Sequence, residues 1–324
     1  MGSVSATIER GVARGHAEAL SPRRRDLNRR LRRYRMVYVL MAPALLWLVL
    51  FRLFPIAGNA YAFVDYSPMR GFFGSEWVGL RYFRELFASV QLWRLLRNTL
   101  IISGMRLGFG FPWPIVLAIL IFDVRSKPLR RSIQSTVYLP HFLSWPVVAA
   151  VTFRLLSPTE GLFNVILENL GLDTVFFMTK PEMFRDILVV QGIWKEAGWG
   201  TVLYLAALSG VDPNLYESAM IDGASKWQRI RHITLPAISG TIIILLILSV
   251  GNMINENFQQ IFLMINPLLY DVGDVFETFV FRRGIRGGQF SYSTAVGFFK
   301  SVVAFLMIVG ANAIARRTRQ SGLF

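Results

Sequence analysis

Six blocks of mostly apolar residues divide this chain, and they constrain its fold more than any other feature. They run over about 36–63, 98–122, 133–156, 186–210, 238–266 and 295–315, the fourth being the least apolar. A block of roughly 18 or more apolar residues is long enough to cross the hydrocarbon core of a bilayer as a helix. Backbone N–H and C=O groups find no water there, so a spanning segment must satisfy them internally. The expectation is an all-α integral membrane protein with six transmembrane helices. A hydrophobic fraction of 53% and a mean hydropathy of +0.44 exceed what a soluble domain carries. Pro43, Pro55, Gly108, Gly110, Pro112, Pro114, Pro140 and Pro146 fall in or beside the blocks. Spans tolerate such residues when neighbouring helices satisfy the freed groups, so a packed bundle is expected.

The net charge of +15 would point to nucleic acid in a soluble protein. Here the basic residues sit at the ends of the blocks, where they orient loops, and no nucleic-acid partner is expected. With the N-terminus inside, segments 1–35, 123–132, 211–237 and 316–324 carry 20 Lys and Arg; loops 64–97, 157–185 and 267–294 carry 10. Lysine and arginine favour the cytoplasmic side, so N-in, C-in follows, with the tail 1–35 dominating the bias. That tail is expected to be partly disordered or to lie on anionic lipid. No small-residue cleavage site follows it, so the first block reads as a retained span, not a signal peptide. The lack of cysteine excludes disulfides and thiolate sites, and His16, His141 and His232 are too scattered to predict a metal site.

Loop 211–237 is the informative one. Asp212-Pro213 reads as an N-cap with proline in the first turn. Leu215, Ala219 and Asp222 follow at helical spacing, with Tyr216 and Met220 beside them, and Gly223 is a plausible stop. A second amphipathic stretch, 226–233, leads to Leu235-Pro236, where the fifth block begins. Such a helix either docks into a groove of a partner or floats in the headgroups; the physics alone leaves both open.

Glu217-x-Ala219, then three residues, Gly223, then nine residues and Ile233-x-Leu235-Pro236 resembles the EAA loop of ABC importer permeases, in order, spacing and position before the penultimate span. Ser218 stands where alanine is usual, a small-for-small change. Tyr138 to Trp145, Gly198-Trp199-Gly200-Thr201 and Gly297-Phe298-Phe299-Lys300-Ser301 resemble the carbohydrate-uptake branch, with its polysaccharide and complex-oligosaccharide permeases. The resemblance runs from about residue 35 to the C-terminus. It implies a type I, maltose-importer-like permease whose loop 211–237 is a cytoplasmic coupling helix seated in a cleft of an ATPase subunit. Glu217 would supply polar contact in that cleft and Gly223 the turn after the helix. Ser218, Ala219, Asp222, Ala224, Leu235 and Pro236 complete the coupling element. Also implied are a second homologous permease, two ATP-binding subunits that hold ATP and Mg, an external solute-binding protein, and a saccharide, an acidic one such as alginate. The chain has no glycine-lysine phosphate loop, so ATP hydrolysis and every cofactor are expected in the partners.

The path is expected from polar residues inside spans, which are costly and usually face a bundle interior or watery cavity. Arg106, Arg154, Lys195, Glu196, Glu256 and Lys300 qualify. Asn252, Asn255, Glu256 and Gln259 share one helical face of the fifth block. Interhelical hydrogen bonding is the competing role for each. Trp194, Trp199, Tyr292, Phe298 and Phe299 are aromatic candidates, though membrane interfaces enrich Trp and Tyr as anchors. The expected path set is Lys195, Glu196, Asn252, Asn255, Glu256, Gln259, Tyr292 and Lys300. Lys195, Lys300, Arg282, Arg283 and Arg286 would attract carboxylates. Neutral oligosaccharide import is the near alternative. An ion-coupled transporter using Glu256 or Lys195 is the distant one, and its uptake would collapse with the ion gradient. An intramembrane enzyme ranks last, because no catalytic constellation is present.

Overall fold

The computed structural model describes residues 33–252 and 258–317, without the side chains of Asn252, Ala311 and 314–317. Most of the N-terminal tail and the end of the C-terminal tail lie outside the described residues.

Helix α1 (Arg35–Leu48) continues through a π turn (Val49–Leu53) and 3-10 turns (Phe54–Phe63). It is apolar all round, and no residue of its apolar window is buried against protein. Leu40 and Phe54 are among its exposed side chains. A helix with no polar face is suited to lipid or to another apolar surface.

A two-residue ladder follows, β1 (Val64–Asp65) against β2 (Glu76–Trp77), antiparallel with Val64 opposite Trp77. Next come α2 (Arg81–Ala88) and α3 (Val90–Met105), whose first turn is capped by the Ser89 side chain accepting from Leu92 N–H. A π turn (Arg106–Gly110) joins α3 to α4 (Pro112–Phe122). Helices α5 (Lys127–Tyr138) and α6 (Trp145–Leu155) meet through a 3-10 turn (Leu139–Phe142), and the chain bends there by 99°. The apolar block 133–156 is therefore two rods. Pro140 and Pro146 cannot donate to a continuous ladder and disfavour helix in the residue before each.

After α7 (Leu162–Asn169) comes α8 (Pro181–Ser209), and α9 (Pro213–Ile221) and α10 (Lys226–Arg229) form the next loop. A π turn (Ile230–Thr234) leads into α11 (Leu235–Asn252). Helix α12 (Phe258–Met264), α13 (Tyr270–Gly273) and α14 (Phe276–Val280) precede a π turn (Phe281–Arg286) and α15 (Phe290–Arg317).

Among the described residues, four helical stretches are long and apolar enough to cross a membrane: Arg35–Phe63, Val90–Phe122, Lys226–Gly251 and Phe290–Gly310; the bent pair α5–α6 would make a fifth. Helix α8, over the block 186–210, is 29 residues long, about 43 Å, but is not among the four. Its position explains its composition. It packs along α4 and touches α5, α11 and α13, burying Phe184, Leu188, Gln191, Lys195, Thr201 and Tyr204. A helix packed on one side against protein can carry there polar groups that a lipid-facing surface cannot; the other side of α8, with Val190, Trp194 and Leu203, is exposed.

Two glycines let α8 come this close. A Cβ on Gly198 would lie 1.8 Å from the Val137 carbonyl oxygen, and one on Gly200 would lie 2.8 Å from Pro114 Cγ. Phe184, Leu188, Ile102, Ile261 and Met264 share one core, and Ala118, Tyr204, Leu208 and Ile238 another. A third joins Leu86, Leu92 and Leu95 to Phe276, Phe279 and Val296.

Candidate functional site

The loop helix α9 starts and stops by local chemistry. Asp212 caps it, its carboxylate accepting from Asn214 N–H at 3.0 Å, with Pro213 in the first turn. At the other end Ala224 N–H reaches Ala219 O at 2.8 Å and Gly223 N–H reaches Met220 O at 3.1 Å. This pair of bonds is the Schellman motif, which needs a left-handed residue. Gly223 supplies it at φ +76°. Ser225 and Gln228 then form a capping box for α10.

One side of α9 faces its own protein. Tyr216 packs on Phe122 and shares a hydrogen bond with Thr234 at 3.1 Å, and Ala219 is half-buried beside it. The other side is open: Glu217, Ser218, Asp222 and Gly223 are exposed, as are Leu215, Met220, Ile221 and Trp227. Ala224 and Leu235 are half-buried and Pro236 is exposed. The Lys226 ammonium pairs with Asp123 at the end of α4. Leu235 N–H bonds to Ile230 O in a wide turn just before Pro236, which has no N–H to give.

A cavity of about 570 Å³ lies elsewhere in the bundle. Its walls are the α3–α4 junction (Ser103, Arg106, Phe111), Trp145 of α6, Glu196 and Trp199 of α8, and Ser249 of α11. Glu196 sits in a small network. His141 Nδ1 donates to its Oε2 at 2.8 Å, and Lys195 Nζ lies 3.2 Å from its Oε1. Lys195 also donates to His141 O at 2.7 Å and is buried. The His141 ring stacks on Trp199, 4.7 Å apart and inclined by 4°. Trp199 and Glu196 thus meet the cavity with their orientations fixed from behind. Across from them the Arg106 guanidinium donates to Gln260 Oε1. Gln260 in turn donates to Leu188 O at 3.0 Å and to Gln191, and Gln191 to Thr152 Oγ1 at 2.6 Å. Buried amides this well satisfied hold a neighbour in place.

The expected path residues divide accordingly. Glu196 lines this cavity and Lys195 supports it. Lys300 is paired with Glu277, half-buried between α14 and α15, and lines neither of the two cavities described. Gln259 is exposed, whereas its neighbour Gln260 is the buried one. Asn255 and Glu256 lie outside the described residues, as does the side chain of Asn252. Tyr292 lines a separate pocket of about 540 Å³ near the start of α15. Trp145 in the wall, and His141 and Gln191 behind it, are residues that the pattern of charges in spans did not single out. Among the described residues no group of His, Cys, Asp and Glu could hold a metal ion.

Bent and broken apolar helices around a cavity that carries a few charged and polar groups on a mostly apolar wall, with an exposed capped helix in one loop, define a membrane permease. The chain belongs to the family described as binding-protein-dependent transport system inner membrane component, whose profile matches residues 110–320. It is 47% identical over 294 residues to protein LplB of Bacillus subtilis, covering 91% of this chain and 92% of that one. It is 39% identical over 302 residues to the polygalacturonan/rhamnogalacturonan transport system permease YteP of the same organism, covering 93% and 94%. A solved chain of a bacterial alginate ABC transporter, in complex with its alginate pentasaccharide-bound periplasmic protein, superposes with a TM-score of 0.84 at 40% identity, covering 91% of this chain and 99% of that chain. The fold is that of type I ABC importer permeases, and the chain is an inner membrane component of a binding-protein-dependent transport system.

Proposed function

We propose that this chain forms half of the translocation path of an ATP-driven importer of an acidic polysaccharide or its oligosaccharides, alginate being the leading candidate. It pairs with a second, homologous permease, two ATP-binding subunits that carry ATP and Mg, and an external solute-binding protein. Its path crosses the membrane six times, with α8 and the bent pair α5–α6 as two of the crossings and both termini in the cytoplasm. Helix α9 seats in the ATPase. Nucleotide-driven closure pulls it and, through Tyr216–Thr234 and the Lys226–Asp123 pair, moves α11 and α4, so that the cavity alternates between the two sides.

The observation that carries the reading is the cavity wall. An aromatic face at Trp199, a carboxylate at Glu196 and a guanidinium at Arg106 converge on one space. Ring faces with a few placed polar groups suit a hydroxyl-rich ligand, and a guanidinium fork suits a carboxylate. The acidic class draws further support from the names of the similar proteins, a polygalacturonan/rhamnogalacturonan permease and an alginate transporter.

The test is uptake by the complete complex in liposomes, with its binding protein outside and ATP inside. Alginate or galacturonate oligosaccharides are expected to enter and maltose to be excluded. Uptake of maltose in preference would establish the neutral substrate class. Uptake that survives loss of the ATPase subunits and collapses with the ion gradient would overturn the reading altogether.

A further inference from the structure

The pocket near the start of α15 shares no residue with the deep cavity, yet its chemistry is similar. Tyr66, Tyr82, Tyr292 and Phe290 surround it, with Gln289 and Gln91 among them. These rings are fixed: Tyr66 stands edge-on to Phe290 at 5.8 Å, and Tyr292 edge-on to Phe279 at 6.3 Å. The Tyr66 N–H donates to Ser291 Oγ at 2.9 Å, which ties the segment after β1 to α15.

The charges are unevenly matched. Asp65 accepts from the Tyr82 hydroxyl at 2.6 Å, and Glu85 from Arg81 at 3.0 Å. Burial pushes the Tyr82 phenol up to about 12, its bond to Asp65 adding to the effect, so it stays a donor at physiological pH. Both carboxylates thus have partners within the chain. Arg283 pairs with no carboxylate among the described residues. It is exposed, lies 5.9 Å from the centre of the Phe279 ring and reaches the neutral Gln289 side chain at 3.5 Å. A guanidinium beside aromatic rings and amides is complementary to a sugar ring bearing a carboxylate.

Helix α3 connects the two sites. Gln91 at its start lines the pocket, and Arg106, immediately after its end, lines the deep cavity. Fifteen residues of helix separate the two positions by about 22 Å; Leu95, Asn98 and Ile102 between them are buried, so a saccharide joining the sites would run beside α3 and not along this face. A disaccharide is far too short to reach from one to the other; a longer chain is not.

We propose that this pocket is a second saccharide subsite, with Arg283 and the tyrosine faces holding a uronate unit of a chain whose other end occupies the deep cavity. The inference rests on the saccharide-import reading above. The chain would then favour long acidic saccharides over short ones by a contact that only the long ones make.

The complete complex with its binding protein tests this through ATP hydrolysis stimulated by uronate oligosaccharides, from disaccharide to octasaccharide. Arg283→Gln should raise the half-saturating concentration for the longest by about tenfold, the loss of one charge-assisted hydrogen bond. The disaccharide should be unaffected, and Arg283→Lys should restore part of the difference. An equal shift at every length, or weaker docking of the binding protein whatever it carries, would make the pocket a protein contact and overturn the proposal. No shift at any length would overturn it too. If the wild-type complex responds to no saccharide at all, the import reading itself fails, and this subsite with it.

Discussion

The loop around α9 and the deep cavity are assembled in opposite ways. In the loop, Asp212, Ala219, Gly223, Ala224 and Ser225 make their contacts with residues two to five positions away. The cavity wall and its supports join Arg106 to Gln260 and Trp199 to His141, from four separate helices or turns. A locally determined element can be moved as a unit by a partner. A wall made of several helices changes shape when any one of them shifts, and this is the behaviour alternating access requires.

The sharpest way to break the comparison is to place one methyl-bearing side chain in each region. Gly198→Val forces a Cβ onto the Val137 carbonyl, a backbone atom that cannot step aside. Overpacking costs about 1–3 kcal/mol and more where backbone must move; little or no assembled complex is expected by size-exclusion chromatography. Gly223→Ala meets no atom within 4 Å and pays only for φ +76°, about 1–2 kcal/mol. It should assemble, with its melting temperature lowered slightly and its coupling reduced. Equal damage from both would erase the distinction.

These two glycines also show what was legible in the chain alone. The start and stop of α9 were readable because capping is a short-range property of Asp-Pro and Gly. Gly198 belongs to a motif visible in the sequence, but its purpose depends on Val137, sixty-one positions earlier and on another helix. Lys300 reads as a path candidate because it is a charge in a span; its pairing with Glu277 depends on a different element and is not visible in spacing. On the fifth block the spacing picked the face of Gln259, and the buried amide is Gln260, because helix periodicity says nothing about which side meets α8. The block 133–156 looked continuous because averaged hydropathy does not register a 99° bend.

Smaller effects sharpen the cavity side. Gln191→Leu removes the amide that holds Gln260 and leaves polar partners unsatisfied, costing about 1–3 kcal/mol. It should lower the melting temperature of the complex and weaken saccharide stimulation together. His141→Phe keeps an aromatic ring against Trp199 but loses the bond to Glu196. Stability should change little while the half-saturating saccharide concentration rises by about tenfold, the worth of one hydrogen bond to a charged group. The smallest effect belongs to the loop. Both partners of the Lys226–Asp123 pair are about half exposed, and such pairs contribute less than about 1 kcal/mol. A double-mutant cycle on thermal stability should find a coupling energy near that limit, falling as salt is raised.

The central claim is that α9 passes work from the ATPase to a cavity it does not touch. Its most direct test is saccharide-stimulated ATP hydrolysis by the reconstituted complex, measured for wild type, Glu217→Ala and Gly223→Pro alongside saccharide binding to the same samples. The account predicts that both variants assemble and bind saccharide as wild type does, yet lose the stimulation. Full stimulation in either variant, with assembly and binding intact, would show that the coupling runs through another part of the chain.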